Sequence, residues 1–407
     1  MKDFFQLQRN IQLRILMTFI GVLCYFTAGS SMTIYYNQYL GKAITGFLLI
    51  LAALVSFFVG MWAGHFSDQH GRKQTMIIGM SANILGASLV ALSNSPIFFN
   101  PWTTFFGFVI SSFGYGFFNS GAEAMLVDIT TPENRKIVYS LGYWVLNLAA
   151  AIGAGLSGLL FRNHFFVLLL LILAGSIINF LITAFLITET FDPTKKHEHR
   201  EVNIIKAYAQ VWKDKTFMLY LLASLFISMT FHQTGYFIPI HLSNSFVTTR
   251  ILGIEIYGQR MLTVMEIGNT VCVILFLTLV RKWTSKWQNK TGFAVGAILM
   301  GIGWTLSLLS NSFIFELVAV LINVAGELIF VPFGQSLRAD LMNPEQVGTY
   351  TGAFSVVDPI SSVFCGLLVS SSVFYADWGM GLIMILITIF AILPGLQAIG
   401  RYERKTV

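Results

Sequence analysis

Residues 64–73, with the sequence GHFSDQHGRK, form a short polar stretch between two long apolar runs. Gly64 permits two helices to approach closely, and Gly71 permits a tight turn. Asp68 can accept a hydrogen bond from Arg72 or from a helix N-terminus in the other half of the chain. Such a contact would latch one face of the protein in one conformation and release it in another. The alternative is a solvated, positively charged turn.

Apolar residues dominate the composition on both sides of this stretch. The 407 residues are 55% hydrophobic and 11% charged, with a mean hydropathy of +0.71. A soluble globular domain carries roughly 25% charged residues. Too few polar groups remain to cover a surface that faces water, so the composition excludes a nucleic-acid-binding module, a disordered chain and most soluble enzymes.

The apolar runs have the length of membrane spans. A helix that crosses ~30 Å of hydrocarbon needs about 20 mostly apolar residues, and lipid offers no partner to the backbone of an open, non-helical chain. The sequence therefore predicts an all-α membrane protein with twelve transmembrane helices. These are predicted near residues 14–39, 43–66, 75–93, 101–127, 137–161, 164–188, 216–240, 254–280, 291–310, 312–337, 346–372 and 376–399.

Lysine and arginine determine the predicted orientation, because cytoplasmic loops are enriched in them. With both termini in the cytoplasm, all but four of the 25 basic residues lie on that side. The four exceptions are Lys42, Arg162, Arg250 and Arg260. The net charge of +6 then faces anionic membrane lipid, and no nucleic acid is implied.

An internal repeat predicts two pseudo-symmetric six-helix halves. The motif D-x-x-x-P-E occurs at 128–133, after the fourth span, and again at 340–345, after the tenth. The predicted domains are 1–188 and 216–407, joined by a polar cytoplasmic linker at 189–215. The second half should be the more bent one, because prolines inside the spans break helical hydrogen bonds. These prolines are Pro239, Pro332, Pro359 and Pro394.

The 64–73 stretch resembles the G-x-x-x-D-R-x-G-R-K signature of the major facilitator superfamily at five of its six fixed positions, with Gln69 in place of the arginine. Other stretches, such as EIYGQRMLT at 255–263 and ADLMNPE at 339–345, resemble the drug/proton antiporters of that superfamily. The gating motif is then Gly64, Asp68, Gly71, Arg72 and Lys73.

The resemblance implies a monomer in a bacterial cytoplasmic membrane. Two six-helix halves would rock around a central site and export lipophilic, often cationic compounds in exchange for protons. The proton gradient would be the energy source, with no cofactor and no metal site. Residues His197-Glu198-His199 in the linker are interpreted as a solvated loop rather than a metal site.

Charged residues inside spans are costly, so each is a functional candidate. Glu327 lies eleven residues from Arg338, or ~16 Å along a helix, which is about half the membrane. There a carboxyl group can bind a proton or, when ionised, attract a lipophilic cation. In the antiporters that the chain resembles, the matching glutamate lies in the drug pocket. The alternative is a neutral glutamate that is hydrogen-bonded within the bundle.

Asp128 closes the fourth span, and the resemblance makes it part of a proton relay or gate. Alternatively it is a helix-end acid that pairs with Arg72 or Arg135, and Arg14 could also pair with it. Arg260, like Arg14, is predicted to pair with an acid. We expect a carboxylate beside it, because a buried guanidinium needs one. The carboxylates closest in sequence are Glu255 and Glu266.

The set of acids differs from that of the antiporters that the chain resembles. Gly142 and Thr388 stand where those proteins carry an aspartate and a glutamate, whereas the chain has acids at other positions. Which acids carry protons is therefore open. The candidates for proton coupling or substrate binding are Glu327, Asp128, Asp68, Glu123, Glu266 and Asp358.

Polar and aromatic residues inside the spans are candidates for the wall of a drug pocket, because aromatic faces bind cations and flat rings without strict geometry. They are Tyr25, Asn119, Tyr143, Asn147, His232, Gln233, Asn269 and Asn323.

Three rival functions stay open. A lipid or glycolipid flippase would use the same scaffold. An uptake symporter that is selective for a sugar or peptide would need more polar membrane spans. A membrane enzyme would need a nucleophile–base pair or a metal cluster, and the sequence offers neither.

Overall fold

The computed structural model describes residues 7–191, 211–343 and 346–406, without the side chains of Ser30, Pro132, Glu133, Arg135, Lys136, Val347, Gly348, Lys405 and Thr406. The chain divides into two compact units. Unit 1 comprises Met1–Gly41 and Leu48–His197, and unit 2 comprises Lys42–Phe47 and Glu198–Val407. The predicted linker, including His197-Glu198-His199, lies mostly outside the described residues, as does the start of the chain.

Unit 1 is built from five long helices, and α1 also contributes the short Lys42–Phe47 segment of unit 2. Helix α5 ends in a π-helical turn at Ile182–Leu186. The helices are α1 Arg9–His70, α2 Arg72–Leu92, α3 Pro101–Ile129, α4 Pro132–Leu160 and α5 Phe165–Leu181.

Helix α1 joins the first two predicted spans. Its 62 residues would measure ~93 Å as one straight helix, about three times the thickness of a hydrocarbon core. Gly41, at φ 79° and ψ 165°, interrupts the helical backbone between the two predicted spans. A glycine adopts this positive φ without the steric cost that a side chain would bring.

The part of unit 2 that the structure describes includes eight further helices of nine residues or more and one short hairpin. A 3₁₀ turn at Gln233–Gly235 separates α6 from α7. The helices are α6 Lys215–His232, α7 Phe237–Ser245, α8 Gly258–Trp283, α9 Asn289–Leu309, α10 Phe313–Leu341, α11 Val347–Ser355, α12 Val357–Ser371 and α13 Asp377–Thr406. The antiparallel strands are β1 Thr249–Ile251 and β2 Ile254–Ile256.

The hairpin corrects the predicted start of the eighth span, which was placed at residue 254. The chain turns at Leu252 and Gly253, both of which have positive φ, and α8 begins only at Gly258. Each strand has only three residues. So short a stretch cannot be assigned to a strand or to a helix from the periodicity of its isoleucines.

Two of the four span prolines lie just after helix breaks. Pro239 is the third residue of α7 and Pro359 is the third residue of α12. A proline ring clashes with the carbonyl group four residues earlier, so the helix breaks one turn upstream. By contrast, Pro332 and Pro394 lie inside the continuous helices α10 and α13.

Ten helical stretches of the described residues are long and apolar enough to cross a membrane. One of the ten is α1, which contains two predicted spans. Helix α3 has 29 residues but is not among the ten. Counting the two arms of α1 separately and adding α3 gives the twelve predicted helices. The prediction of an all-α membrane fold is confirmed.

The internal repeat reappears as a pair of closely packed helices in each unit. Helices α3 and α10 both have 29 residues and are offset by 212 positions at both ends. Helices α2 and α9 both have 21 residues and are offset by 217. In each pair, two glycines face each other so closely that an added Cβ would overlap the backbone of the neighbouring helix. These glycines are Gly79 and Gly114 in unit 1 and Gly296 and Gly326 in unit 2, at the same two offsets.

Candidate functional site

Glu327 lies at the midpoint of α10. Fourteen residues precede it and fourteen follow it within the helix, or ~21 Å in each direction. Its Oε2 accepts a 2.7 Å hydrogen bond from Nδ2 of Asn269 on α8. Among the described residues, no lysine, arginine or histidine nitrogen lies within 4.0 Å of its carboxylate. Glu327 is therefore a half-buried acid that an amide holds in place and that no basic side chain of the described residues neutralises.

One other candidate acid, Asp358, lies beside a histidine in unit 2. Asp358 accepts from Ser228 at 3.4 Å and lies 3.0 Å from Nε2 of His232. Thus α6 and α12 bring together a histidine and an acid that the sequence analysis treated separately. Glu123 and Glu266 lie on α3 and α8, and Glu123 is exposed.

The predicted gating motif is built around the guanidinium of Arg72. Its Nη1 donates to Asp68 Oδ1 at 2.6 Å and to Ser67 Oγ at 3.2 Å, and its Nε donates to Asp128 Oδ2 at 3.0 Å. The Arg72 side chain is 12% exposed, whereas that of Asp68 is 62% exposed. Asp68 thus binds Arg72, one of its two predicted partners, and this arginine links the end of α1 to the end of α3.

Glu189 completes this network, and sequence reasoning missed it because it was assigned to the linker. Its two carboxylate oxygens accept from the backbone N–H groups of Arg72 and Lys73, each at 3.0 Å. These are the first N–H groups of α2, which have no partner within the helix. Gly71, at φ 101°, leaves the space that this carboxylate occupies.

The suggested pairing of Arg14 with Asp128 is wrong. Asp128 binds Arg72 and also accepts from Thr190 Oγ1 at 3.2 Å. Arg14 is 4% exposed, and its guanidinium lies 5.6 Å from the ring centroid of Phe118. Its Nε and Nη1 have no hydrogen-bond partner among the described residues. The reason is geometric, since Arg14 begins the second turn of α1 whereas Arg72 begins α2, beside the end of α3.

Arg260 contacts the backbone of Glu255, one of its two predicted partners. Its Nη1 donates to the backbone carbonyl of Glu255 at 2.7 Å, and its guanidinium lies 5.0 Å from the ring centroid of Tyr257. The β2 strand turns this carbonyl toward α8, so the arginine binds the backbone of the predicted partner.

The predicted pocket residues separate into three groups. Tyr25, Asn119 and Tyr143 have exposed side chains. Gln233 and Asn323 are buried and donate to backbone carbonyl groups within unit 2, so they pack the interior. Asn147 donates to the backbone of its own helix, His232 contacts Asp358, and Asn269 contacts Glu327.

Unit 2 also contains a buried polar cluster that the sequence analysis did not single out. It comprises His241 on α7, Glu316 on α10 and Asp377 on α13, with Lys42 beside it. Glu316 lies inside a predicted span, so the rule that intramembrane acids are functional could have found it.

Comparisons with known proteins agree with this architecture. The profile of the Major Facilitator Superfamily matches residues 15–255. A protein of Planococcus maritimus named "Na(+), Li(+), K(+)/H(+) antiporter" is 25% identical over 98% of each chain. The "Multidrug resistance protein MdtH" of Proteus mirabilis is 25% identical over 81% of this chain and 78% of its own.

Solved structures show the same fold at low identity. A peptide transporter crystallised with sulfate has a TM-score of 0.74 at 14% identity, covering 97% of this chain and 94% of its own. A mutant of the nucleoside transporter NupG has a TM-score of 0.76 at 14% identity, covering 97% and 99%.

The helical fold and the family profile define a multi-pass membrane transporter, not an enzyme. The chain belongs to the Major Facilitator Superfamily.

Proposed function

We propose that this transporter exports lipophilic, often cationic compounds in exchange for protons, by alternating access. The observation that carries the proposal is Glu327, a mid-helix carboxylate with an amide donor and no basic partner among the described residues. Such a group can hold either a proton or an organic cation, and competition between the two couples their fluxes. Asp68 and Asp128 are already bound to Arg72 and fit a gating role.

The named relatives support both parts of this proposal. MdtH proteins carry the name of multidrug resistance proteins, and the Planococcus relative carries that of a proton antiporter. The segments quoted above also resemble the lactococcal multidrug transporter LmrP, of which we infer the chain to be a homologue. We further propose a monomer in the bacterial cytoplasmic membrane with both termini in the cytoplasm.

The test is transport of ethidium in proteoliposomes under an imposed pH gradient. We expect wild-type protein to transport the dye, and we expect Glu327→Gln to lose this transport, because the amide cannot exchange a proton. Glu255→Gln is the matched control, since this glutamate lies on the exposed hairpin. Equal pumping by wild type and Glu327→Gln would move proton coupling to another acid. Movement of a lipid reporter without dye would favour a flippase.

A second candidate function is exchange of alkali cations for protons. The relative with that name matches over 98% of both chains, a larger share than the MdtH match. Adding Na⁺ or K⁺ to proteoliposomes that hold a pH gradient and a fluorescent pH reporter tests it. Collapse of the gradient by these ions, with no transport of ethidium, would favour this function over drug efflux.

A further inference from the structure

The second cluster of titratable groups in unit 2 lies at the start of α10 and α13, at the ends opposite Arg338 and Arg401. It is separate from Glu327, which is eleven residues, or ~16 Å, further along α10. The charged or titratable groups that face one another here, among the described residues, are Lys42, His241, Glu316 and Asp377.

The imidazole of His241 is held between two acceptors. Nε2 lies 2.8 Å from the backbone carbonyl oxygen of Ser310, which can only accept, so Nε2 carries a hydrogen. Nδ1 lies 2.8 Å from Oδ2 of Asp377, which also accepts from the hydroxyl of Ser245 at 2.7 Å. One proton therefore lies between His241 and Asp377, and it makes either an imidazolium–carboxylate pair or an imidazole–carboxylic acid pair.

Glu316 is the member of the cluster of which only one carboxylate oxygen accepts a hydrogen bond from the described residues. Its side chain is 0% exposed. Oε2 accepts from the hydroxyl of Ser307 at 2.8 Å, but Oε1 has no hydrogen-bond partner among the described residues and lies 3.9 Å from Nε2 of His241. An ionised carboxylate in this position depends on a charged imidazole beside it, whereas a protonated carboxyl group is neutral and does not.

The charges of the cluster balance while Glu316 is ionised, and a proton on Glu316 would leave the cluster with one net positive charge. With His241 and Lys42 positive and both acids ionised, the four groups sum to zero. Lys42 lies 4.0 Å from Oδ1 of Asp377, and both side chains are 25% exposed. Because Lys42 and Asp377 reach solvent while Glu316 does not, protonation of Glu316 changes the charge of a buried group next to a partly open pair.

The internal repeat shows that the fold itself does not require these charges. Three helices of unit 1 have equivalents in unit 2. The starts of α1 and α6 are 206 residues apart. The starts of α3 and α10, and those of α5 and α13, are 212 residues apart. At these offsets the counterparts of His241, Glu316 and Asp377 are Tyr35, Thr104 and Phe165.

The counterparts make the same contacts with neutral groups. Tyr35 lies 3.2 Å from Thr104 between hydroxyl oxygens, and its ring stacks on Phe165 at 5.3 Å between centroids. Unit 1 thus packs this position with two hydroxyl groups and two rings. Unit 2 places a histidine and two acids there, which a packing role does not explain.

We propose that Glu316, beside the His241–Asp377 pair, is a second proton-binding site of this transporter, distinct from Glu327. Its use in a transport cycle rests on the proton coupling proposed above, whereas its ability to bind the proton does not. Binding at Glu316 removes the negative charge that faces His241 and so alters the His241–Asp377–Lys42 chain of contacts at this end of unit 2.

The test is infrared difference spectroscopy of the purified, detergent-solubilised protein between about pH 5 and about pH 8, the range in which a histidine neighbour also titrates. The C=O stretch of protonated carboxyl groups reports the site directly. We expect Glu316→Gln to lose one component of this band, and Glu327→Gln to lose a different one. Glu255→Gln, an exposed acid, is the matched control and should keep both components.

A second variant keeps the test decisive should Glu316→Gln not fold. Ser307→Ala removes the hydroxyl donor to Glu316 Oε2 and leaves the acid in place. We expect it to shift the Glu316 component without removing it. An unchanged band in Glu316→Gln, or in Ser307→Ala when the first variant does not fold, would overturn the proposal. Failure of the proposed function is distinguishable, because wild-type protein would then drive no transport while the infrared component still identified the site.

Discussion

Asn269 on α8 donates a 2.7 Å hydrogen bond to the Glu327 carboxylate on α10, and both residues lie near the middle of their helices. The amide fixes the direction of the carboxylate without adding a positive charge. The cationic substrate proposed above could therefore approach an oriented carboxylate that has no basic side chain within 4.0 Å among the described residues. This relationship distinguishes Glu327 from Asp68, Asp128 and Asp358, each of which lies beside a basic side chain.

Removing this donor should weaken substrate binding without abolishing it. For Asn269→Ala we expect the KM for ethidium to rise about fivefold, corresponding to about 1 kcal/mol for one lost hydrogen bond. Asn147→Ala is the matched control, because that amide bonds only to the backbone of its own helix in the described contacts. Dye uptake at several concentrations measures both variants, and an equal KM in both would contradict this role of Asn269.

We expect transport to require an arginine at position 72, and not merely a positive charge. Its guanidinium donates to Ser67, Asp68 and Asp128 together, and a lysine ammonium cannot reproduce that planar arrangement. We expect Arg72→Lys and Arg72→Ala to lose most transport and to lower the free energy of unfolding by about 1–2 kcal/mol, since Asp68 is largely solvent-exposed. Lys282→Ala, which removes an exposed basic side chain near the end of α8, should change little in either assay. Full transport by Arg72→Lys would exclude a specific guanidinium role.

Glu189 should stabilise unit 1 through the N-terminus of α2. For Glu189→Ala we expect a loss of about 1–2 kcal/mol, because two backbone N–H groups lose their acceptor and a negative charge leaves the positive end of the helix. Thermal unfolding in detergent measures the change. Glu189→Gln, which keeps an acceptor but not the charge, should fall between wild type and Glu189→Ala. No difference among the three would mean that the cap contributes no stability.

The glycine contacts of the repeat should respond alike in the two units. Gly114→Ala and Gly326→Ala each place a methyl group against the backbone of the neighbouring helix, so we expect each to cost about 1–3 kcal/mol and to reduce the yield of folded protein. Gly142→Ala and Gly268→Ala are controls, because an added Cβ meets no atom within 4 Å there. Equal yields from all four variants would contradict the close packing.

Sequence periodicity and composition predicted the helices well but left their ends and partners open. The start of α8 was misplaced because isoleucines at 251, 254 and 256 are equally apolar in a strand and in a helix. The partner of Asp128 was left open among Arg14, Arg72 and Arg135, because sequence distance does not tell which basic residue a fold brings to a helix end, and the structure selects Arg72. Asn269 and Glu327 were each singled out, yet nothing in a spacing of 58 residues links them.

The sequence by itself determined that the chain is a helical membrane protein with an internal repeat, because hydrocarbon admits only helices of sufficient length and because the D-x-x-x-P-E motif recurs 212 residues later. It also placed an acid at Glu327. Only the tertiary structure decided that Glu189 caps α2 and that Arg72 binds Asp128. It alone also showed that His241 lies beside both Glu316 and Asp377. Such contacts join helices far apart in sequence, and their geometry depends on how the helices pack.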